Sequence, residues 1–182
     1  MRGPFAKAIV AQVTTATLVL TASVGCHATI RGGSTDLQIP YLVVTKRKVV
    51  IDDARLTLPC SEADLTAVLG PPNRLEQLEN RILVWDERGI YAYVTPARGK
   101  VSALTVSYHC ADASFCPRSS YEGELLIGEM RVYPFLFHEA QLRRAGYEPD
   151  DLGLWAGEIG RHTVIIQPDE QHQRINSVEI GE

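Results

Sequence analysis

The sequence lacks every local pattern that would mark a catalytic apparatus. No serine sits in a G-x-S-x-G elbow, His138-Glu139 is not continued into an H-E-x-x-H zinc helix, and there is no glycine-rich phosphate loop. Cys60 has no catalytic-thiol signature around it. The four cysteines show no C-x2-C spacing, and neighbours such as His109 and Cys110 would point to opposite faces of a strand. A binding module is therefore expected rather than an enzyme, with no cofactor and no metal. Basic residues are also too few to form a nucleic-acid footprint, with 18 Lys and Arg against 22 Asp and Glu and a net charge of −4. The run Lys46-Arg47-Lys48 is short and reads as the solvated start of a strand. The longest apolar stretch, Ala8 to about Leu20, is too short and too rich in threonine to span a bilayer, which takes about 20 apolar residues.

That stretch is the core of an export signal. Arg2 and Lys7 precede it, small residues follow it, and no Asp or Glu occurs before Cys26. Ser23-Val24-Gly25-Cys26 resembles a bacterial lipobox. The resemblance implies a signal over residues 1–25, a lipid on Cys26 and, since His27 is not Asp, an outer-membrane lipoprotein facing the periplasm. Cleavage after Ala22 or Gly25, giving a soluble periplasmic or secreted protein, is the alternative. Residues 26–39 read as a flexible tether. In an oxidising compartment thiols pair. Cys110 and Cys116 bracket a short polar loop and are the expected disulfide, which leaves Cys60 as a free, buried thiol. Pairing of Cys60 with Cys26 or with one of the loop cysteines stays open.

The rest of the chain reads as one pattern written twice. Lys48–Gly70 aligns without gaps on Glu124–Gly146, and Lys100–Val106 on Arg174–Ile180. Each copy has two short strands, a helix, a hairpin and a final strand. The first helix starts at the cap Ser61, with Asp64 three residues later, and stops at Gly70-Pro71-Pro72. The second uses Phe137, Leu142 and Ala145 and ends at Gly146. The hairpins are 81–94, turning at 86–89, and 153–166, turning near 157–160. The expectation is an α+β protein of two similar units, each a small antiparallel sheet crossed by one short helix. Residues 40–109 form the first, 110–120 a disulfide-loop linker, and 121–182 the second.

Leu69-Gly70-Pro71-Pro72, followed by Trp85-Asp86-Glu87-Arg88-Gly89-Ile90, resembles an uncharacterised bacterial domain found beside polymorphic toxin systems. More loosely, the arrangement is similar to the β-lactamase inhibitor proteins and to small outer-membrane assembly lipoproteins. The resemblance implies a binding fold with a toxin-immunity or inhibitor role, or a structural role in envelope assembly, and it brings no catalytic residues. An envelope hydrolase is the remaining reading.

Two accounts of the aromatic residues stand side by side. In one, Trp85 packs in the core while Asp86 and Gly89 build a turn. In the other, Trp85, Tyr91, Tyr93 and Trp155 lie on an exposed sheet face and anchor a protein partner. Alternation puts Tyr91 and Tyr93 on one face and Ile90, Ala92 and Val94 on the other. Membrane contact through the Cys26 lipid and a protein partner are the expected associations.

Overall fold

A computed structural model describes residues 39–110 and 113–182. The export segment 1–25, Cys26 and the tether up to residue 38 lie outside the described residues. The first strand, β1 (Tyr41–Val44), turns at Lys46-Arg47 into β2 (Val49–Ile51) and then β3 (Ala54–Leu56). The basic run is thus a hairpin turn, exposed at Lys46 and Arg47, that leads directly into β2 and is closed by the Thr45 amide donating to the Lys48 carbonyl. The two-residue β4 (Cys60–Ser61) leads into helix α1 (Glu62–Leu69). Ser61 caps it as the sequence predicts: its hydroxyl accepts from the Asp64 amide, and the Asp64 carboxylate accepts from the Ser61 amide. Gly70, at φ 80°, ends it.

An antiparallel run follows: β5 (Arg74–Gln77), β6 (Arg81–Trp85), β7 (Ile90–Thr95) and β8 (Lys100–Ser107). Beyond the disulfide loop come β9 (Glu124–Ile127), β10 (Met130–Val132), helix α2 (Glu139–Arg144), β11 (Glu148–Pro149), β12 (Trp155–Ile159), β13 (His162–Pro168) and β14 (Ile175–Gly181). The second hairpin turns at Gly160-Arg161, because β12 continues to Ile159 and pairs there with His162.

The expected α+β arrangement is not what forms. Strands take 44% of the described residues and helices 10%, with two helices among them. Nor does each repeat own a sheet. The hairpins β2–β3 and β9–β10 flank β1 in one five-stranded sheet ordered β10-β9-β1-β2-β3. The later strands join a nine-stranded sheet ordered β11-β12-β13-β14-β8-β7-β6-β5, with β4 also paired to β8. The physical reason lies in the final strands. Both β8 and β14 are apolar on one face and long enough to pair with each other, so the two meanders fuse through them and neither of these two strands is left as an edge. Helices of eight and six residues are too short to cover such sheets, and the sheets cover each other instead.

The pairing register generates two ladders across the large sheet. On its inner face Trp85, Ile90, Val106, Val178, Ile166 and Trp155 are successive cross-strand partners. On its outer face the adjoining row runs Val84, Tyr91, Thr105, Glu179, Ile165 and Ala156. The inner ladder joins Leu42, Val44, Val49, Ile51, Leu125 and Ile127 of the small sheet in one hydrophobic core. Burial of a side chain of this size stabilises by roughly 1.5–3 kcal/mol.

Candidate functional site: an aromatic cleft on the outer face of the large sheet

The outer face is not simply a wet surface. Tyr91 (β7), Thr105 and Ser107 (β8) on that face are buried, and Tyr93 and Glu179 are half-buried. Above them lies a cleft of about 1300 Å³. Its floor includes Tyr91, Tyr93, Ser177, Glu179, Ile165 and Gln167. Phe115 of the disulfide loop lines one side and Phe135, 83% exposed, lines it from the segment after β10.

The loop that brings Phe115 there is closed by the Cys110–Cys116 disulfide that the sequence predicts. It is fastened to the sheet by an ion pair seated in the β6–β7 turn. Arg74 Nε donates to Asp86 Oδ2 at 3.1 Å, and the same guanidinium also donates to the Ser114 and Cys116 carbonyls. Asp86 Oδ1 accepts from the Arg118 amide at 3.0 Å, and the Asp86 carbonyl accepts from the Ser119 amide. Burial by itself would raise the Asp86 carboxyl, but Arg74 and the Arg118 amide outweigh it and hold the group below its ordinary value. The turn's glycine matters for the same reason. Gly89 sits at φ 64°, and the Tyr121 backbone passes so close that no Cβ would fit.

Once held down, Phe115 packs on Tyr91 with ring centroids 5.3 Å apart, and Tyr91 meets Tyr93 edge-on at 5.6 Å. Such contacts fix ring positions as well as adding cohesion. Burial raises the tyrosine hydroxyls at both positions, so they stay protonated and able to donate. Glu179 lies at the cleft's midline, directly across β8–β14 from Thr105. Burial raises its carboxyl above the ordinary value, and among the described residues it has neither a hydrogen bond nor an ion pair. The Thr105 hydroxyl across from it is buried, 1% exposed, and lies beneath the cleft next to Tyr91, its other cross-strand partner.

The four aromatic residues expected to form a binding face separate into two pairs. Tyr91 and Tyr93 line the cleft. Trp85 and Trp155, 2% and 1% exposed, face the other way, at the two ends of the inner ladder. Trp85 Nε1 donates to the Gly70 carbonyl at 2.9 Å, tying the hairpin to the end of α1. Trp155 packs on Phe137, and the Arg143 guanidinium lies over its ring, 4.9 Å from the centroid. They are core residues because each pairs with a residue of the inner face, Trp85 with Ile90 and Trp155 with Ile166. Sequence reasoning missed Glu179 and Phe115. Glu179 carries a usable signal: a carboxylate in the middle of a strand, between Val178 and Ile180, at the position aligned with Thr105. Phe115 carries none, since a loop shows no periodicity.

Cys60 is a buried free thiol, as expected, and burial with help from Asp64 pushes it up to about 11. Among the described residues no cluster of His, Cys, Asp and Glu could hold a metal ion, and no helix is long and apolar enough to cross a membrane.

The architecture and the cleft define a mostly β, two-sheet domain with an aromatic recess on its larger sheet. The chain belongs to the family described as Domain of unknown function (DUF7738), whose match covers residues 42–135, about half of the chain. That segment runs from β1 through β10 and contains Tyr91, Tyr93, Asp86 and Phe115, whereas Glu179 and the strands β11–β14 lie beyond it. No curated protein and no solved structure matches the chain.

Proposed function

We propose that this is an exported, lipid-anchored envelope protein that binds a protein partner in the cleft of its large sheet. The observation behind this reading is the Tyr91–Tyr93–Phe115 aromatic floor, held rigid by the Arg74–Asp86 clamp and continued to the surface by the exposed Phe135. Preordered aromatic rings beside an exposed apolar rim are what a protein interface uses for its energetic centre. The patch also offers an apolar surface that solvent alone would leave uncovered. The anchor follows from the lipobox-like Ser23–Cys26 segment, and an inhibitor or immunity role from the resemblance of the helix end and the Trp-Asp hairpin.

The test is affinity capture of the tagged full-length chain from its native envelope, run in parallel with Tyr93→Ala and with Leu75→Ala. Leu75, on the edge strand β5, is exposed and lies away from the cleft lining. The reading expects a stoichiometric protein that is lost with Tyr93→Ala and kept with Leu75→Ala. Capture insensitive to Tyr93 would overturn it. Mass spectrometry of the mature N-terminus decides the anchor: a diacyl or triacyl mass on Cys26 supports it, and an unmodified terminus at residue 23 or 26 removes it.

A further inference from the structure

The cleft is lined by a carboxylate that no group among the described residues pairs with. Glu179 is drawn partly out of water on the middle strand pair, flanked by Ser177 on its own strand and by Thr105 across from it. The lining also carries the acids Glu122, Asp169 and Glu170 against the bases Arg174 and His109, so the recess is acidic on balance. The Asp169 carboxylate is already used, accepting from the Gln173 and Arg174 amides that shape the β13–β14 turn. Among the described residues Glu179 has no such partner. A half-buried carboxylate without a partner is costly, and a protein can keep one in place when a ligand supplies the missing charge.

The surroundings narrow that ligand. Tyr91 and Tyr93 line the same cleft as Glu179, and Tyr91 lies two strands from it on the same face, beyond Thr105. The negative faces of aromatic rings attract a cation that a neighbouring carboxylate already favours. An anion would meet an acidic recess, and a purely apolar group would bury Glu179 without neutralising it. A charged nitrogen suits both the carboxylate and the aromatic rings.

We propose that the cleft recognises a basic side chain, lysine or arginine, presented by the partner protein, with Glu179 as its counter-ion and Tyr91 and Tyr93 as its aromatic walls. This rests on the reading of the cleft as a protein-binding site. It makes the contact selective for a basic segment, because any other residue at that point leaves the carboxylate desolvated and unpaired.

The experiment has two arms. In the first, NMR shifts of the full-length chain in detergent micelles are followed on titration with blocked tripeptides Gly-Xaa-Gly, where Xaa is Arg, Lys, Gln or Glu. Saturable shifts at Glu179, Tyr91 and Tyr93 are expected for Arg and Lys, at affinities at least about tenfold above Gln and Glu. Glu179→Gln should abolish that preference and leave the spectrum of the folded domain otherwise intact. Equal binding of all four peptides, or no shifts at these residues with Arg and Lys, overturns the proposal. In the second arm, Glu179→Gln joins the capture experiment. Loss of the partner with both Tyr93→Ala and Glu179→Gln supports the basic anchor. Loss with Tyr93→Ala alone overturns the anchor and leaves the protein-binding reading standing, and loss with neither overturns both.

Discussion

Thr105 and Glu179 are direct cross-strand partners at the centre of the nine-stranded sheet. The register is symmetric about them. One step outward on the same face lies Tyr91 beyond Thr105 and Ile165 beyond Glu179, and the next step reaches Val84 and Ala156. The aligned strands Lys100–Val106 and Arg174–Ile180 thus meet at one midpoint, and the cleft opens over it. A carboxylate has been placed where the corresponding position holds a threonine.

That placement has a consequence for stability. Burial raises the folded Glu179 carboxyl above its ordinary 4.5, so the folded chain holds that proton more tightly than the unfolded chain. Stability from this group is greatest below about pH 4.5 and falls as pH rises through the folded value. Glu179→Gln should therefore raise the melting temperature at pH 7 to 8, with the gain vanishing in acid. Thermal melts of the two chains across that range measure it, and a lower melting temperature at neutral pH would contradict it. A site residue that costs stability is expected of a binding group.

Asp86 should behave in the opposite way. Asp86→Ala removes the acceptor of Arg74 and of the Arg118 amide. Loss of such a partly buried, multiply bonded carboxylate destabilises by roughly 2–4 kcal/mol. The damage should concentrate in the disulfide loop, read as faster amide hydrogen exchange over residues 113–121 and at Tyr91. Unchanged exchange there would mean that the loop is held by the disulfide alone.

Acid sensitivity near neutrality should trace to His162. It is shut away from solvent at the start of β13, and burial is the largest of the influences that lower its ring below the ordinary 6.5. The unfolded chain then takes up a proton that the folded chain resists. The contribution is complete above about pH 6.5 and is lost as pH falls from there toward the folded value. His162→Gln should flatten the melting curve between pH 7 and 5, while the decline below about pH 4 persists because Asp64, Asp86 and Asp169 sit below their ordinary 3.8. An unchanged slope between pH 7 and 5 would clear His162 of the effect.

Cys60 should be inert in the folded chain. Buried, with its thiol pushed up to about 11, it offers almost no thiolate at pH 8. Peptide mapping after iodoacetamide treatment should find Cys60 unmodified until denaturant is added, and rapid labelling of the native chain would contradict the burial.

Local features were legible in the sequence wherever one residue decides them. Ser61 and Asp64 fixed the start of α1, Gly70 its end, and Cys110 and Cys116 a short closed loop. The parity of Tyr91 and Tyr93 against Ile90 and Ala92 predicted the two faces of β7. Parity also assigns Trp155 to the core, since it is paired to Ile166, but a tryptophan read alone suggests an anchor. The larger error concerned partners. An apolar strand such as Val101–Val106 shows that it must be paired without showing with which strand, so joining β8 to β14 instead of closing two separate sheets was invisible. Strands as short as β4, β5 and β11 have too few residues to show a period. Phe115 reaches the site through a loop fastened by Arg74 and Asp86, a contact between distant parts of the chain.

The cleft as the binding site is the central claim, and site-specific photocrosslinking in the native envelope tests it most directly. A photoreactive residue is placed at Tyr93, at Phe135, and at Leu75 on the far edge strand. The account predicts one and the same protein adduct from Tyr93 and Phe135, absent from Leu75. An adduct from Leu75, with none from the two cleft positions, would contradict it.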